Sequence, residues 1–179
     1  DRYRGYWWSP DGSAIAFEQV TEEHIPKYRI MHQGKDDVVF EDHHYPFAGK
    51  QNPKVKLAIV RLGGGDVTAT EALWLDICAL EDSVDIYLAR VDWMVDGSLV
   101  VQVENREQSK LDLLRFDLKS SAPSIPQLLL REESRVWINL HRLFFSFIAK
   151  ASEKTGDGAD METVKFLWGS ERSGFMQLY

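Results

Sequence analysis

The sequence predicts an all-β chain, a partial β-propeller of about three four-stranded blades. Three observations predict it. A unit made of an aromatic residue, an Asp-Gly turn and an apolar strand occurs twice, as YWWSPDGSAIAFEQV over Tyr6 to Val20 and as VDWMVDGSLVVQVE over Val91 to Glu104. Around the second copy, four short apolar segments follow one another within residues 86–130, about the size of one propeller blade. No stretch carries apolar residues at the helical period over a useful length. A β-sandwich also accommodates short strands, but only radial stacking of repeated units explains the repeat.

The first unit is expected over residues 6–78. Pro10 pre-sets φ for a turn, Asp11 bonds to backbone two residues on, and Gly12 accepts φ > 0 without a Cβ clash. Trp7, Trp8, Ile15 and Phe17 supply apolar area to the flanking strands. Thr21 to Asn52 is polar and broken by Pro26, Gly34, Pro46 and Gly49, so it reads as a long connection holding one short strand, Lys27 to His32. Lys54 to Leu62 alternates and then turns fully apolar, as a strand inside a stack of sheets would. Gly63 to Asp66 reads as a turn, and Ala72 to Ile77 as a further strand.

The second unit, residues 86–130, has strands at Ile86 to Trp93, Leu99 to Glu104, Leu111 to Leu118 and Pro126 to Leu130. Its Ser120 to Ser124 linker carries Pro123, which cannot extend a ladder. The third unit, residues 136–179, opens with the aromatic run Val136 to Ala149, expected to bend near Leu140. Lys150 to Asp160 reads as a loop. Thr163 to Trp168 and Phe175 to Tyr179 then flank Gly169 to Gly174 as a hairpin.

Composition excludes several function classes. A net charge of −7 and a pI near 5.2 disfavour nucleic acid as a partner. The lone Cys78 cannot form an internal disulfide, which favours a reducing, cytoplasmic setting. No apolar run approaches the ~20 residues of a membrane span, and the start lacks the basic-then-apolar form of a signal peptide. No membrane contact is therefore expected. The first residue is Asp1 rather than Met, so the chain is expected to be a piece of a longer one.

Catalytic motifs are missing. There is no G-x-S-x-G elbow, H-E-x-x-H, Walker lysine motif or G-x-G-x-x-G, so no catalytic residue, cofactor or metal is assigned. Ser9 and Ser13 belong to the first turn, and turn formation accounts for Asp11 and Asp96. Glu41, Asp42, His43 and His44 are zinc-ligating residue types, but adjacent histidines point to opposite faces of a strand and no second spaced pair follows. Cys78 has nothing nearby to lower its pKa and reads as a buried strand residue. Trp7, Trp8, Trp93, Trp137 and Trp168 fit core packing better than a ligand cage. His141, polar within an aromatic run, reads from pattern as a satisfied buried histidine.

Three motifs in order carry a resemblance. They are Tyr6-Trp7-Trp8-Ser9-Pro10-Asp11-Gly12, then Tyr45-Pro46-Phe47-Ala48-Gly49-Lys50-Gln51-Asn52-Pro53-Lys54-Val55, then Val136-Trp137-Ile138-Asn139-Leu140-His141. The chain resembles the N-terminal propeller region of the dipeptidyl peptidase IV family, closest to its cytosolic dipeptidyl peptidase 8 and 9 branch. The resemblance extends to the closing Arg172-Ser173-Gly174-Phe175-Met176-Gln177-Leu178-Tyr179.

It implies a parent serine exopeptidase that removes N-terminal dipeptides, commonly after proline or alanine. A C-terminal α/β-hydrolase domain would carry the catalytic triad, and the propeller would gate entry of the peptide substrate. The family's amine-binding glutamates would fall upstream of Asp1, so the chain by itself is expected to be inactive. A homodimer of the parent is implied as a possible assembly. His141 and Arg142 fall where the family places a pair lining the outer substrate subsites, His141 facing the central cavity. A non-enzymatic propeller module for protein interaction is the alternative.

Overall fold

The computed structural model describes residues 5–34, 37–62, 71–80, 85–120, 122–141, 144–154 and 160–179, with only the backbone described for 144–154 and 160–164. Among the described residues there are thirteen strands and no helix. In chain order they are β1 (Tyr6–Trp8), β2 (Ala14–Thr21), β3 (Lys27–His32), β4 (Val39–His44), β5 (Lys54–Arg61), β6 (Leu73–Leu75) and β7 (Ile86–Trp93). There follow β8 (Leu99–Asn105), β9 (Lys110–Phe116), β10 (Gln127–Glu133), β11 (Phe144–Lys154), β12 (Asp160–Ser170) and β13 (Gln177–Leu178).

The strands form a four-stranded sheet β1-β2-β5-β6, a second four-stranded sheet β7-β8-β9-β10, a three-stranded sheet β11-β12-β13 and the separate pair β3-β4. All pairings are antiparallel. Side-chain alternation sends Ala14, Ala16, Leu57, Ile59 and Leu75 to one face of the first sheet, where they meet Leu88, Val91, Leu99, Val101, Leu114 and Phe116 of the second. The opposite face of the second sheet packs Met94, Val100, Leu111 and Leu113 against Trp168 of β12. The middle sheet is thus covered on both sides. That is why β8 reads as a continuous apolar run, buried at every position from Leu99 to Glu104, rather than as an alternation.

The first strands of the two four-stranded sheets, β1 and β7, lie side by side. The Trp93 indole Nε1–H donates to the Trp7 carbonyl across that seam at 3.1 Å. Sheets stacked face to face with their first strands together make the start of a radial array, a partial propeller whose ring is not closed. On the outer face of the first sheet, register aligns Tyr6, Phe17, Ala58 and Trp74 in one cross-strand row. Phe17 and Trp74 meet edge-on at 5.9 Å over the small Ala58.

Both Asp-Gly turns form as expected. Ser13 N donates to Asp11 Oδ1 at 3.0 Å and Ser98 N to Asp96 Oδ1 at 2.9 Å. Gly12 and Gly97 hold φ of 72° and 82°. Among the described residues, and apart from each glycine's own chain neighbours, no heavy atom lies within 4 Å of a Cβ placed on either glycine, so the cost of a side chain there is backbone strain alone. Gly97→Ala is expected to lower unfolding free energy by about 1–2 kcal/mol, read from the shift of a urea midpoint at unchanged slope.

Several expectations are corrected. The long connection contains a second strand, β4, which pairs with β3 from Lys27↔His44 to His32↔Val39. Nearly every residue of this hairpin is exposed on both faces, so no apolar-polar alternation marked it. The run Val136 to Ala149 is not one bent element: Val136 to His141 follows β10 as a crossing segment outside any strand, with Ile138 N donating to Gln108 O at 2.7 Å, and Phe144 begins β11. Of the loop expected over Lys150 to Asp160, Lys150 to Lys154 belong to β11 and Asp160 to β12, because the backbone ladder runs on past the apolar residues with a register shift between Lys150 and Lys154, while residues 155–159 lie outside the described residues. Cys78 sits in a turn after β6, half-buried, where Asp76 Oδ1 accepts its N–H at 3.3 Å. Trp8 and Trp137 are 54% and 68% exposed instead of packed in a core, one on the outer face of the first sheet and the other on the crossing segment. The Gly63 to Asp66 turn lies outside the described residues.

Candidate functional site

A cavity of about 460 Å³ opens between the end of β10, the crossing segment 134–141 and the turn joining β12 to β13. Each wall has a local cause. Arg131 on β10 is fixed by two 2.6 Å bonds from Nε and Nη2 to Asp112, which is only 1% exposed. The neighbouring Glu132 accepts the Trp168 indole N–H at 2.9 Å, with Arg172 Nε at 4.0 Å. Arg172 lies over the Tyr179 ring, 3.8 Å from its centre. Tyr179 is held in turn by paired backbone bonds with Trp168, 2.8 and 3.0 Å long.

The crossing segment contributes a relay of its own. Trp137 Nε1–H donates to Asn139 Oδ1 at 3.2 Å, and Asn139 Nδ2 donates to Glu171 Oε2 at 2.8 Å. His141 is half-buried in the cavity wall, edge-on to Trp168 at 5.2 Å between ring centres. Ser134 Oγ accepts the Val136 N–H at 3.2 Å and so serves the local turn. The wall therefore offers rings, carboxylates and guanidinium groups. Arg142 lies outside the described residues.

The other polar residues singled out in the sequence stay apart from this cavity. Asp11 accepts bonds from the Ser9 hydroxyl, at 2.7 Å, and from the Ser13 N–H and hydroxyl, which hold its pKa down at about 2. His43 and His44 point to opposite faces: His43 Nε2 meets Glu41 at 2.7 Å and His44 Nδ1 meets the Ile25 carbonyl at 2.7 Å. His32 Nε2 also reaches Glu41, at 2.9 Å, and the His32 bond, followed by the charge of His43, holds the Glu41 carboxyl below its ordinary value. Among the described residues no group of three or more His, Cys, Asp or Glu is arranged to hold a metal ion.

One polar group escaped the sequence reading. Glu104 at the end of β8 is 1% exposed, and among the described residues neither carboxylate oxygen has a hydrogen-bond partner. Burial pushes its pKa up to about 7, against a smaller downward pull from Arg90. In the sequence Glu104 only closes a mostly apolar run; that this run is buried at every position is a property of the fold.

Among the described residues no helix is long and apolar enough to cross a membrane. Dipeptidyl peptidase 8 from Homo sapiens is 24% identical over 217 aligned residues, which take in 100% of this chain and 23% of that protein. Inactive dipeptidyl peptidase 10 from Rattus norvegicus is 33% identical over 105 residues, 58% of this chain and 13% of that protein. The crystal structure of Porphyromonas gingivalis dipeptidyl peptidase 4 superposes with a TM-score of 0.70 at 23% identity, covering 97% of this chain and 22% of that one. The chain thus spans less than a quarter of the length of these relatives. The family model described as "Dipeptidyl peptidase IV (DPP IV) N-terminal region" matches residues 1–179, and the chain belongs to that family.

Proposed function

We propose that this chain is part of the propeller of a serine-type dipeptidyl peptidase, and that it serves substrate access and docking of a C-terminal α/β-hydrolase domain without contributing the catalytic triad. The parent removes N-terminal dipeptides, commonly after proline or alanine. Residues 6–78, 86–130 and 136–179 act as blades of one partial propeller domain. His141 and Arg142 line the outer peptide subsites. The same reading makes the parent a cytoplasmic protein that forms a homodimer.

The observation that carries this reading is the family match over the whole chain, joined to the radial stacking of sheets around the β1–β7 seam. The aromatic outer row Tyr6, Phe17 and Trp74 supports docking of further propeller sheets, since it repeats the apolar chemistry of the faces already packed. A second reading, a non-enzymatic interaction module, is favoured by the likeness to a relative named as inactive.

A chromogenic Gly-Pro substrate separates the two. The full-length parent is expected to release the dye and the isolated chain to read zero. His141→Ala in the parent is expected to change the Michaelis constant or the preference among longer peptides. A folded parent with no turnover supports the interaction module, and an unchanged His141→Ala profile removes the subsite role.

A further inference from the structure

We propose that the cavity between β10 and the β12–β13 turn binds a basic peptide side chain, a guanidinium or ammonium group seated between the Trp137 indole face and the Glu171 carboxylate. The nature of the ligand as a peptide rests on the reading above; its positive charge rests on this cavity alone.

Three features point to a cation. The first is pre-organisation. The relay Trp137 Nε1–H to Asn139 Oδ1, and Asn139 Nδ2–H to Glu171 Oε2, ties an aromatic ring and a carboxylate together across two segments far apart in sequence. Holding both groups before the ligand arrives lowers the ordering cost of binding. The second is charge. Glu132, Glu133 and Glu171 line the cavity against Arg131 and Arg172. Arg131 is already paired with Asp112, which is not part of the lining, so among the described lining residues negative charge is in excess. The third is the open ring. Trp137 is 68% exposed, and among the described residues no Arg or Lys lies over it.

The same wall displays the chemistry internally, since Arg172 packs on the Tyr179 ring at 3.8 Å. A guanidinium over an indole combined with a charge-assisted bond to a carboxylate is a strong pairing for its size. The net charge of −7 adds a long-range attraction for basic peptides.

The test compares acetyl-Ala-Arg-Ala-amide with the same peptide carrying citrulline, a neutral isostere, by calorimetric titration of the full-length parent. Acetylation blocks the N-terminus, so binding is measured apart from dipeptide release. The arginine peptide is expected to bind about tenfold more tightly than the citrulline peptide, with the preference shrinking at high salt. Glu171→Gln and Trp137→Leu, both exposed positions, are each expected to abolish most of that preference, and Trp137→Phe to retain part of it. Equal affinity for the two peptides, no binding of either at millimolar concentration, or a preference that survives both substitutions overturns the proposal. Gly-Pro dye release is followed on the same samples. An arginine preference without dye release removes only the peptidase reading; dye release without the preference removes only this one.

Discussion

Trp168→Ala is expected to cost about 3–5 kcal/mol of stability and to release the third sheet before the other two. Trp168 is 2% exposed and is the anchor of the second core, packed with Met94, Val100, Leu111 and Leu113. Its removal leaves a cavity the size of an indole between sheets, strips Glu132 of the indole N–H it accepts at 2.9 Å, and takes away the ring that His141 rests against. Against a typical domain stability of about 5–15 kcal/mol this is a large loss. It should also be local. The first core, between the first and second sheets, contains none of these groups. Native-state hydrogen exchange is therefore expected to show lost protection in β12 with protection retained in β2, β5 and β8. Uniform loss in all three sheets, or none in β12, would show that the Trp168 contacts are not what joins the third sheet to the second.

The second large effect is linked to pH. Glu104 has a pKa of about 7 in the folded chain against an ordinary 4.5, because burial penalises the charged form and no described residue bonds either oxygen to offset it. The folded state thus holds its proton more tightly than the unfolded state does. Below pH 4.5 both states are protonated and no penalty arises. Between 4.5 and about 7 the unfolded chain loses the proton first and stability falls. Above about 7 the penalty levels off at about 3 kcal/mol. Glu104→Gln keeps the shape and removes the titration. Its stability relative to the native chain is expected to rise by about 3 kcal/mol between pH 4.5 and 8, read from denaturant unfolding at several pH values. A difference that stays flat across that range would mean that the carboxyl finds a partner or water in solution.

Local residues announced much of this fold. Pro10-Asp11-Gly12 and Asp96-Gly97 form the two turns expected, because an Asx side chain and a glycine at positive φ act over two or three residues and need no distant partner. The strands at Ile86–Trp93, Leu99–Asn105 and Lys110–Phe116 were visible as apolar segments because the second sheet buries them. The β3–β4 hairpin was only half legible. It buries little on either face, and the bidentate Arg29–Asp42 pair, at 2.7 and 2.8 Å, joins residues thirteen apart whose register no local pattern reveals.

The cavity was less legible still. Its walls come from β10, the crossing segment and the β12–β13 turn, so Glu132, Asn139, Glu171 and Arg172 meet only after the third sheet packs on the second. His141 stood out as a polar residue in an aromatic run, yet its neighbour Trp168 lies twenty-seven positions away. Sequence by itself determined the all-β class, the two Asp-Gly turns and the family, since these rest on local backbone preferences and on motifs in order. Tertiary structure alone decided which charges face one cavity, which tryptophans are buried, and that the Glu104 carboxylate is buried without a hydrogen-bond partner among the described residues. Those properties depend on what lies across an interface, and strand periodicity shows which residues share a face without showing what will cover it.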